Sequence, residues 1–379
     1  MDFPLDILSG AKTPFYFYDL DLLRRTLASL NKSLPSASYK VHYAMKANAN
    51  HAILEEIKLA GLGIDAVSGG EIKAAVEVGF EPSKIVFAGV GKTDEEIELA
   101  LKVGIGTFNV ESREELEVIS DIASRLGCIA KIALRVNPDI DAHTHHYITT
   151  GLAENKFGIN LELLDGVIDS CLSLPSVQLT GLHFHIGSQI TDNIPFGILC
   201  ERINALQAKF EKRGVRFSTI NVGGGLGIDY DHPDENPIPD FGSYFDTFAQ
   251  KLELRPGQEL HFELGRAIVA QCGSLITKVL YVKKGISKQF AIVDAGMTDL
   301  IRPALYQAYH EIDNLTSAGA PEKYDVVGPI CESSDVFQEN AYLPQVRRGD
   351  LLAIRSAGAY GEIMASRYNL RNLPGSLCR

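Results

Sequence analysis

No stretch of this 379-residue chain stays apolar for the roughly 18 consecutive residues that a membrane-spanning helix needs. Its first residues, Met1-Asp2-Phe3-Pro4-Leu5-Asp6, are acidic and lack the basic segment that opens a secretory signal, so the expected location is the cytoplasm. Basic residues are in deficit: 36 Lys and Arg stand against 48 Asp and Glu, and a net charge of −12 argues against nucleic acid as a partner. The six cysteines include no Cys-x-x-Cys pair, so neither a zinc site nor a disulfide framework is expected. Most of them are read as small core residues of a reducing compartment, with Cys331 as the exception. Internal repeats and low-complexity linkers are also missing. So is an early Gly-x-Gly-x-x-Gly fingerprint, which removes the main support for a nicotinamide-dependent oxidoreductase.

What the chain does contain is an alternation of short β-branched runs with helical patterns. The strand-like runs are 39–44, 62–66, 84–88, 107–110, 130–136, 178–183, 217–222 and 259–262. Helical periods lie between them, as at 50–60, 94–102, 112–125 and 195–213. Eight such units predict a parallel (β/α)8 TIM-type barrel, with a doubly wound open sheet as the competing architecture. From about Cys272 onward the pattern turns to strands and turns, which predicts a mainly β second domain. The expected division is an N-terminal segment (1–35) contributing to the β domain, a barrel (36–266) and a C-terminal β domain (267–379). The Pro- and Asp-rich segment 229–240 reads as a surface excursion.

A barrel collects its functional residues from the C-terminal ends of its strands. Those ends carry Lys46, Asp65, Asn109, Arg135, His183 with His185, Gly223-Gly224-Gly225, and Glu263-Leu264-Gly265-Arg266. Lys46 is either an ordinary solvated lysine or a desolvated amine able to form a Schiff base with a carbonyl compound. The glycine run suits backbone approach to an anion, and the bland alternative is a flexible turn. His183 and His185 fall on one face. A metal site is the rival to a ring stacked on an aromatic cofactor, but no carboxylate or cysteine stands at ligand spacing, so no metal is expected. Glu263 with Arg266 is either a structural ion pair, or a carboxylate for a ring nitrogen beside a phosphate clamp. In the second domain, Arg302-Pro303-Ala304-Leu305-Tyr306 offers a guanidinium and a phenol to a carboxylate. Cys331-Glu332-Ser333 sets a thiol beside an acid, and is read as unlike packing because a buried acid without a partner is costly.

Taken in order, the strings YAMKAN, HFHIGSQ, NVGGGLG, ELGR, RPALY, GPICESSD and GAYGEIMASRYN resemble the fold-type III pyridoxal-phosphate decarboxylases, the alanine racemase-like barrel-plus-β group. Within that group the resemblance is to the branch that converts meso-2,6-diaminopimelate to L-lysine and carbon dioxide. Decarboxylation of another amino acid or a carboxylated polyamine is the alternative. The resemblance implies pyridoxal 5′-phosphate held by Lys46, with His185 stacked on its ring and Glu263 at its ring nitrogen. It gives Ser188, Gly223, Gly224, Gly225, Gly265, Arg266 and Tyr360 to the phosphate end, and Asp65, Glu71 and Arg135 to a supporting polar shell. It gives Arg266, Arg302, Tyr306, Glu332, Ser333 and Tyr360 to the substrate, and makes Cys331 a proton donor reached across a homodimer with shared active sites. Leu264 departs from the group, which usually has proline there.

Overall fold

The computed structural model describes residues 3–140 and 156–379; Met1 and Asp2 of the expected N-terminal segment lie outside the described residues. In chain order the strands are β1 (Phe15–Tyr18), β2 (Tyr39–Ala44), β3 (Gly63–Ala66), β4 (Ile85–Phe87), β5 (Thr107–Val110), β6 (Ala130–Asn137), β7 (Ile159–Asn160), β8 (Val177–His183), β9 (Thr219–Asn221), β10 (Glu259–Leu264), β11 (Gly273–Lys284), β12 (Gln289–Val293), β13 (Ile312–Asn314), β14 (Pro321–Val327), β15 (Val336–Pro344), β16 (Leu351–Ile354) and β17 (Gly375–Cys378). The helices are α1 (Leu5–Leu8), α2 (Leu20–Ser33), α3 (His51–Leu59), α4 (Gly69–Val78), α5 (Asp94–Val103), α6 (Arg113–Leu126), α7 (Leu164–Ser173), α8 (Ile194–Glu211), α9 (Phe241–Lys251), α10 (Arg266–Val269) and α11 (Arg302–Tyr306).

These elements form two compact units, one of residues 27–227 and 240–265, the other of 1–26, 228–239 and 266–379. The first is a closed parallel barrel. Its strands run β5-β4-β3-β2-β10-β9-β8-β6, and β5 pairs β6 to close the ring. The open-sheet alternative is thereby excluded. The strands form because their β-branched and aromatic runs are buried on both faces. The outer layer is sealed by aromatic packing, with Tyr244, Phe245 and Phe248 of α9 and Phe262 of β10 at centroid distances of 4.9–5.7 Å. The turns from β2 to α3, β3 to α4, β4 to α5 and β5 to α6 are each fixed by a short polar cap. Asn50, Ser68 and Ser112 accept from the first turns of α3, α4 and α6, and Thr93 with Glu96 forms a reciprocal capping box on α5. Those caps stand at the barrel rim beside the candidate residues, so they hold the loops that carry them. Leu264 extends the β10–β2 pairing to Tyr43, a ladder position.

Low in the barrel the interior is polar. His42 Nδ1 donates to the carbonyl of Lys84 (3.1 Å), its Nε2 meets His261 Nδ1 (3.0 Å), and His261 Nε2 meets Glu259 (3.1 Å). Gly63 makes room for this, since a Cβ there would stand 2.5 Å from His42 Nδ1. Burial, followed by the neighbouring His261, pushes His42 down to about 3. A histidine held neutral in the fold but free to protonate when unfolded stabilises fully above its ordinary value near 6.5. That contribution is lost as pH falls toward about 3. Unfolding midpoints measured from pH 7 to pH 4 should therefore drop with acid. His42→Gln should remove about 1.4 kcal/mol per pH unit of that slope. An unchanged slope in the variant would assign the acid sensitivity elsewhere.

The second unit is built on a sheet of order β13-β16-β11-β12-β14-β15. β1 joins it antiparallel to β11 and also pairs in parallel with β17. Phe15, Phe17, Leu8, Ile276, Leu351 and Ala353 make its core. The segment read as a surface excursion belongs to this unit, and Tyr230 within it is buried. The surface reading holds for exposed residues 231, 232, 234–236 and 240 and is corrected at Tyr230, where aromatic contact and two guanidinium donors outweigh the polar composition around it.

Candidate active site

In the barrel unit, Lys46 sits in the single 3-10 turn that follows β2, at the rim. Its Nζ lies 3.8 Å from Asp65 at the end of β3. Asp65 is 1% exposed, and neither carboxylate oxygen has a hydrogen-bond donor among the described residues. Burial, reinforced by the nearby Glu263, raises Asp65 well above the usual carboxylate range, and Lys46 pulls only partly the other way. Glu263 has the opposite environment. Its Oε1 accepts from Asn109 Nδ2 (2.9 Å) and Asn221 Nδ2 (2.8 Å), and its Oε2 accepts from His183 Nε2 (2.9 Å). Burial alone would raise it, but His183 and Lys46 outweigh that and hold it below the ordinary range. Two buried carboxyls are therefore shifted in opposite directions, because one has donors and the other does not.

His183 and His185 take separate roles. His183 is spent on Glu263, while His185 Nδ1 accepts from the amide of Gly224 (3.3 Å). Burial first, then Arg135 and Lys46, keep the His185 ring well below its ordinary value, hence neutral. The glycine run is demanded by geometry. A Cβ on Gly223 would stand 2.3 Å from the carbonyl of Phe184, and one on Gly224 would stand 2.1 Å from that of Glu263. Gly225 has φ +121°, and its amide has no acceptor among the described residues. Ser188 lies in the loop beyond β8, and Gly265 packs a would-be Cβ 3.0 Å from Ala47 Cβ, against the turn bearing Lys46.

Arg135 is held from behind. Its Nη1 donates to Glu111 (2.7 Å), whose oxygens also accept from the amides of Gly89 (3.1 Å) and Gly158 (2.9 Å). Beside it, buried Lys92 bonds Glu115 (2.6 Å) and the carbonyl of Asn109 (2.8 Å). Sequence reasoning passed over Glu111 and Lys92 because each looks like part of a solvated helix entrance. Glu71 supports the same rim, accepting from the Val67 amide at 2.7 Å.

In the β unit a second cluster forms. Arg266 Nη1 donates to Tyr230 OH (2.6 Å), and its guanidinium lies 5.0 Å from the ring of Tyr360. Arg302 Nη2 donates to the same phenol (3.1 Å), and its guanidinium is 6.0 Å from the ring of Tyr306. Arg302 is 5% exposed, and among the described residues no carboxylate lies within ion-pair distance of it. A buried cation in that state is costly unless an anion completes it. Tyr230 was missed; its one visible signal is a lone aromatic in a Pro- and Asp-rich loop. Tyr360 adopts φ +58°, a left-handed backbone uncommon for tyrosine.

Cys331, Glu332 and Ser333 lie together elsewhere in the β unit, on an exposed loop. The amide of Cys331 donates to Asn369 Oδ1 (3.1 Å), and Tyr368 OH donates to Glu332 (2.5 Å). Glu332 is exposed, in line with the reading that this pair is not packing, and the buried acid of this loop is Asp335. It accepts from the amides of Met297 (2.6 Å) and Ile330 (2.7 Å), which shapes the loop and leaves Glu332 outward.

The barrel rim is a test of whether pyridoxal phosphate fits. Orphaned oxygens on Asp65, a remaining lone pair on Glu263 Oε2, an unsatisfied Gly225 amide and a neutral imidazole suit a cationic ring joined to a phosphate. No group of three or more His, Cys, Asp or Glu that could hold a metal ion occurs among the described residues, and no helix there is long and apolar enough to cross a membrane.

Comparison with known proteins agrees with this fit. Residues 20–270 match the family model described as pyridoxal-dependent decarboxylase, pyridoxal binding domain. A diaminopimelate decarboxylase of Bacteroides thetaiotaomicron is 61% identical over 373 residues, covering 98% of this chain and 97% of the relative. One from Zymomonas mobilis is 43% identical, over 98% of this chain and 89% of its own. The crystal structure of diaminopimelate decarboxylase from Helicobacter pylori complexed with L-lysine superposes with a TM-score of 0.93 at 40% identity, over 99% of this chain and 93% of that one. With its closed barrel, its β unit and the lysine-bearing rim that the family model spans, this chain belongs to the pyridoxal-dependent decarboxylases.

Proposed function

We infer that the chain catalyses decarboxylation of meso-2,6-diaminopimelate to L-lysine and carbon dioxide, the last step of bacterial lysine biosynthesis, acting in the cytoplasm as a homodimer. The observation that carries this reading is Arg302: a buried guanidinium with no carboxylate partner among the described residues. Diaminopimelate brings a carboxylate at its unreacted end, whereas ornithine brings only an ammonium. Leaving Arg302 unpaired would disfavour the latter strongly. Relatives bearing the diaminopimelate name support the same substrate.

Bound pyridoxal phosphate supplies the electron sink that takes the pair released when the bond from Cα to its carboxylate breaks. Lys46 holds the cofactor through Nζ, and Glu263, kept anionic by three donors, holds the ring nitrogen. The neutral face of His185 covers the ring, and Arg135 and Asp65 complete the polar shell. Ser188, Gly223, Gly224, Gly225, Gly265, Arg266 and Tyr360 bind the phosphate end. Arg302 and Tyr306 orient the unreacted carboxylate, and Glu332 with Ser333 receives its ammonium. Cys331 Sγ delivers to Cα the proton that replaces carbon dioxide. The exposure of Cys331 supports a partner subunit reaching it, as does the apolar surface of Tyr368 and Leu370 beside it, with Leu370 96% exposed.

Protein loaded with pyridoxal phosphate should release lysine and carbon dioxide one for one from meso-diaminopimelate, and act far more slowly on ornithine. Turnover of ornithine at a comparable kcat/KM would overturn the substrate assignment.

A further inference from the structure

The short helix α11 is followed by Gln307, whose φ of +53° turns the chain back on itself. That return brings His310, eight residues on from Arg302, against the Arg302 side chain. Arg302 Nε donates to His310 Nε2 at 3.3 Å, while His310 Nδ1 lies 2.8 Å from the carbonyl of Arg355. A carbonyl only accepts, so Nδ1 carries the proton and Nε2 presents its lone pair to Arg302. The ring is 1% exposed and packs edge-on against Tyr230, with centroids 5.2 Å apart at 81°. Arg355 is itself anchored by Asp234 (2.6 Å) and Asp313 (2.6 Å), so the carbonyl that fixes the tautomer belongs to a residue held in place.

We propose that His310 is a positioning residue for substrate specificity: it fixes the Arg302 guanidinium so that its Nη1/Nη2 edge faces the unreacted carboxylate of the substrate. A guanidinium has five N–H donors in one plane. His310 takes the one on Nε and Tyr230 takes one on Nη2. Of the three that remain, two are on Nη1 and one is on Nη2, so an Nη1/Nη2 pair is left to meet a carboxylate in a two-point contact. Without an acceptor at Nε only the Tyr230 contact at Nη2 holds the guanidinium, and one bond does not set the edge it offers. Burial, then the charge of Arg302, push His310 down to about 3, so the lone pair on Nε2 persists throughout the neutral range.

The inference rests on Arg302 as the carboxylate-binding group, and its test separates the two. L-Lysine keeps the unreacted carboxylate and 1,5-diaminopentane lacks it. Their dissociation constants are measured on the pyridoxal-phosphate-loaded enzyme. In His310→Asn, the amide N–H can still reach the Arg355 carbonyl but the acceptor for Arg302 is gone. That variant should bind L-lysine about tenfold more weakly and leave 1,5-diaminopentane unchanged. KM for diaminopimelate should rise with little change in kcat. His310→Gln, whose amide oxygen reaches the Nε2 position, should restore most of the loss. If His310→Asn does not fold, His310→Met against His310→Gln reads the same contrast. Equal weakening of both ligands, or variants without an acceptor that bind L-lysine as wild type does, would overturn the positioning role. If Arg302→Ala discriminates the two ligands as wild type does, the carboxylate assignment itself fails. If Arg302→Ala loses the discrimination and His310→Asn keeps it, only the role of His310 fails.

Discussion

Replacing Lys46 by alanine is expected to remove decarboxylation, with a fall of at least ~10³-fold even at saturating pyridoxal phosphate. The loss is this large because, in the proposed function, the amine both anchors the cofactor and holds it at the barrel rim, so orientation and covalent attachment go together. Lys46 is half-exposed and its nearest acid, Asp65, is already raised by burial, so the fold should survive the change. Lys46→Arg should rescue nothing. A guanidinium stays protonated and offers no nucleophilic lone pair. Two readouts decide the matter. Borohydride treatment of the wild type should add the mass of the reduced cofactor to the peptide containing Lys46, and the alanine variant should show no such addition. Retention of a tenth of wild-type turnover in Lys46→Ala would place the cofactor attachment elsewhere.

The second large effect is expected at Arg302. Truncation to alanine removes a buried guanidinium whose hydrogen bonds among the described residues go to neutral groups, Tyr230 and His310. Losing one partner of a buried charge-assisted contact costs about 2–5 kcal/mol, so kcat/KM for diaminopimelate should fall by roughly 10²-fold or more. The effect should lie mainly in KM, because the carboxylate that Arg302 orients stays in place throughout the reaction. Steady-state kinetics with diaminopimelate and ornithine measure it: discrimination between the two should collapse as activity on diaminopimelate falls. Unchanged diaminopimelate turnover in Arg302→Ala would remove the specificity argument.

Much of this was legible along the chain, for identifiable reasons. Barrel strands buried on both faces read as short apolar runs, and the cap residues Asn50, Ser68, Thr93 and Ser112 mark where each turns into a helix. Lys46, Asp65, Asn109, His183 and Glu263 were visible because strand ends are countable and each breaks an apolar run with one polar residue. What local pattern does not carry is the partner across space. The donors to Glu263 come from three strands separated by up to 154 positions. Lys92 and Glu111 resemble ordinary helix entrances until their burial is seen. Tyr230 hides in a segment whose prolines and acids suggest solvent. Strand β15 is hard to read from the sequence because Gln338-Glu339-Asn340 interrupts its apolar alternation, and Asn340 takes φ +56° within it.

The way the units share the chain limits how such a protein can be rebuilt. The polypeptide passes from one unit to the other at 26/27, 227/228, 239/240 and 265/266. Arg266, Arg302 and Tyr230 thus act as one cluster although Tyr230 is donated by an excursion from the middle of the barrel sequence. A recombination joint at residue 266 would deliver both arginines without the phenol that holds them, and the β sheet without β1. On the proposed substrate contacts, exchange of substrate preference by swapping C-terminal halves requires that residues 228–239 and the N-terminal strand travel too. If Arg302 selects the substrate as proposed, specificity is inherited as a discontinuous set, and divergence proceeds by substitution within it.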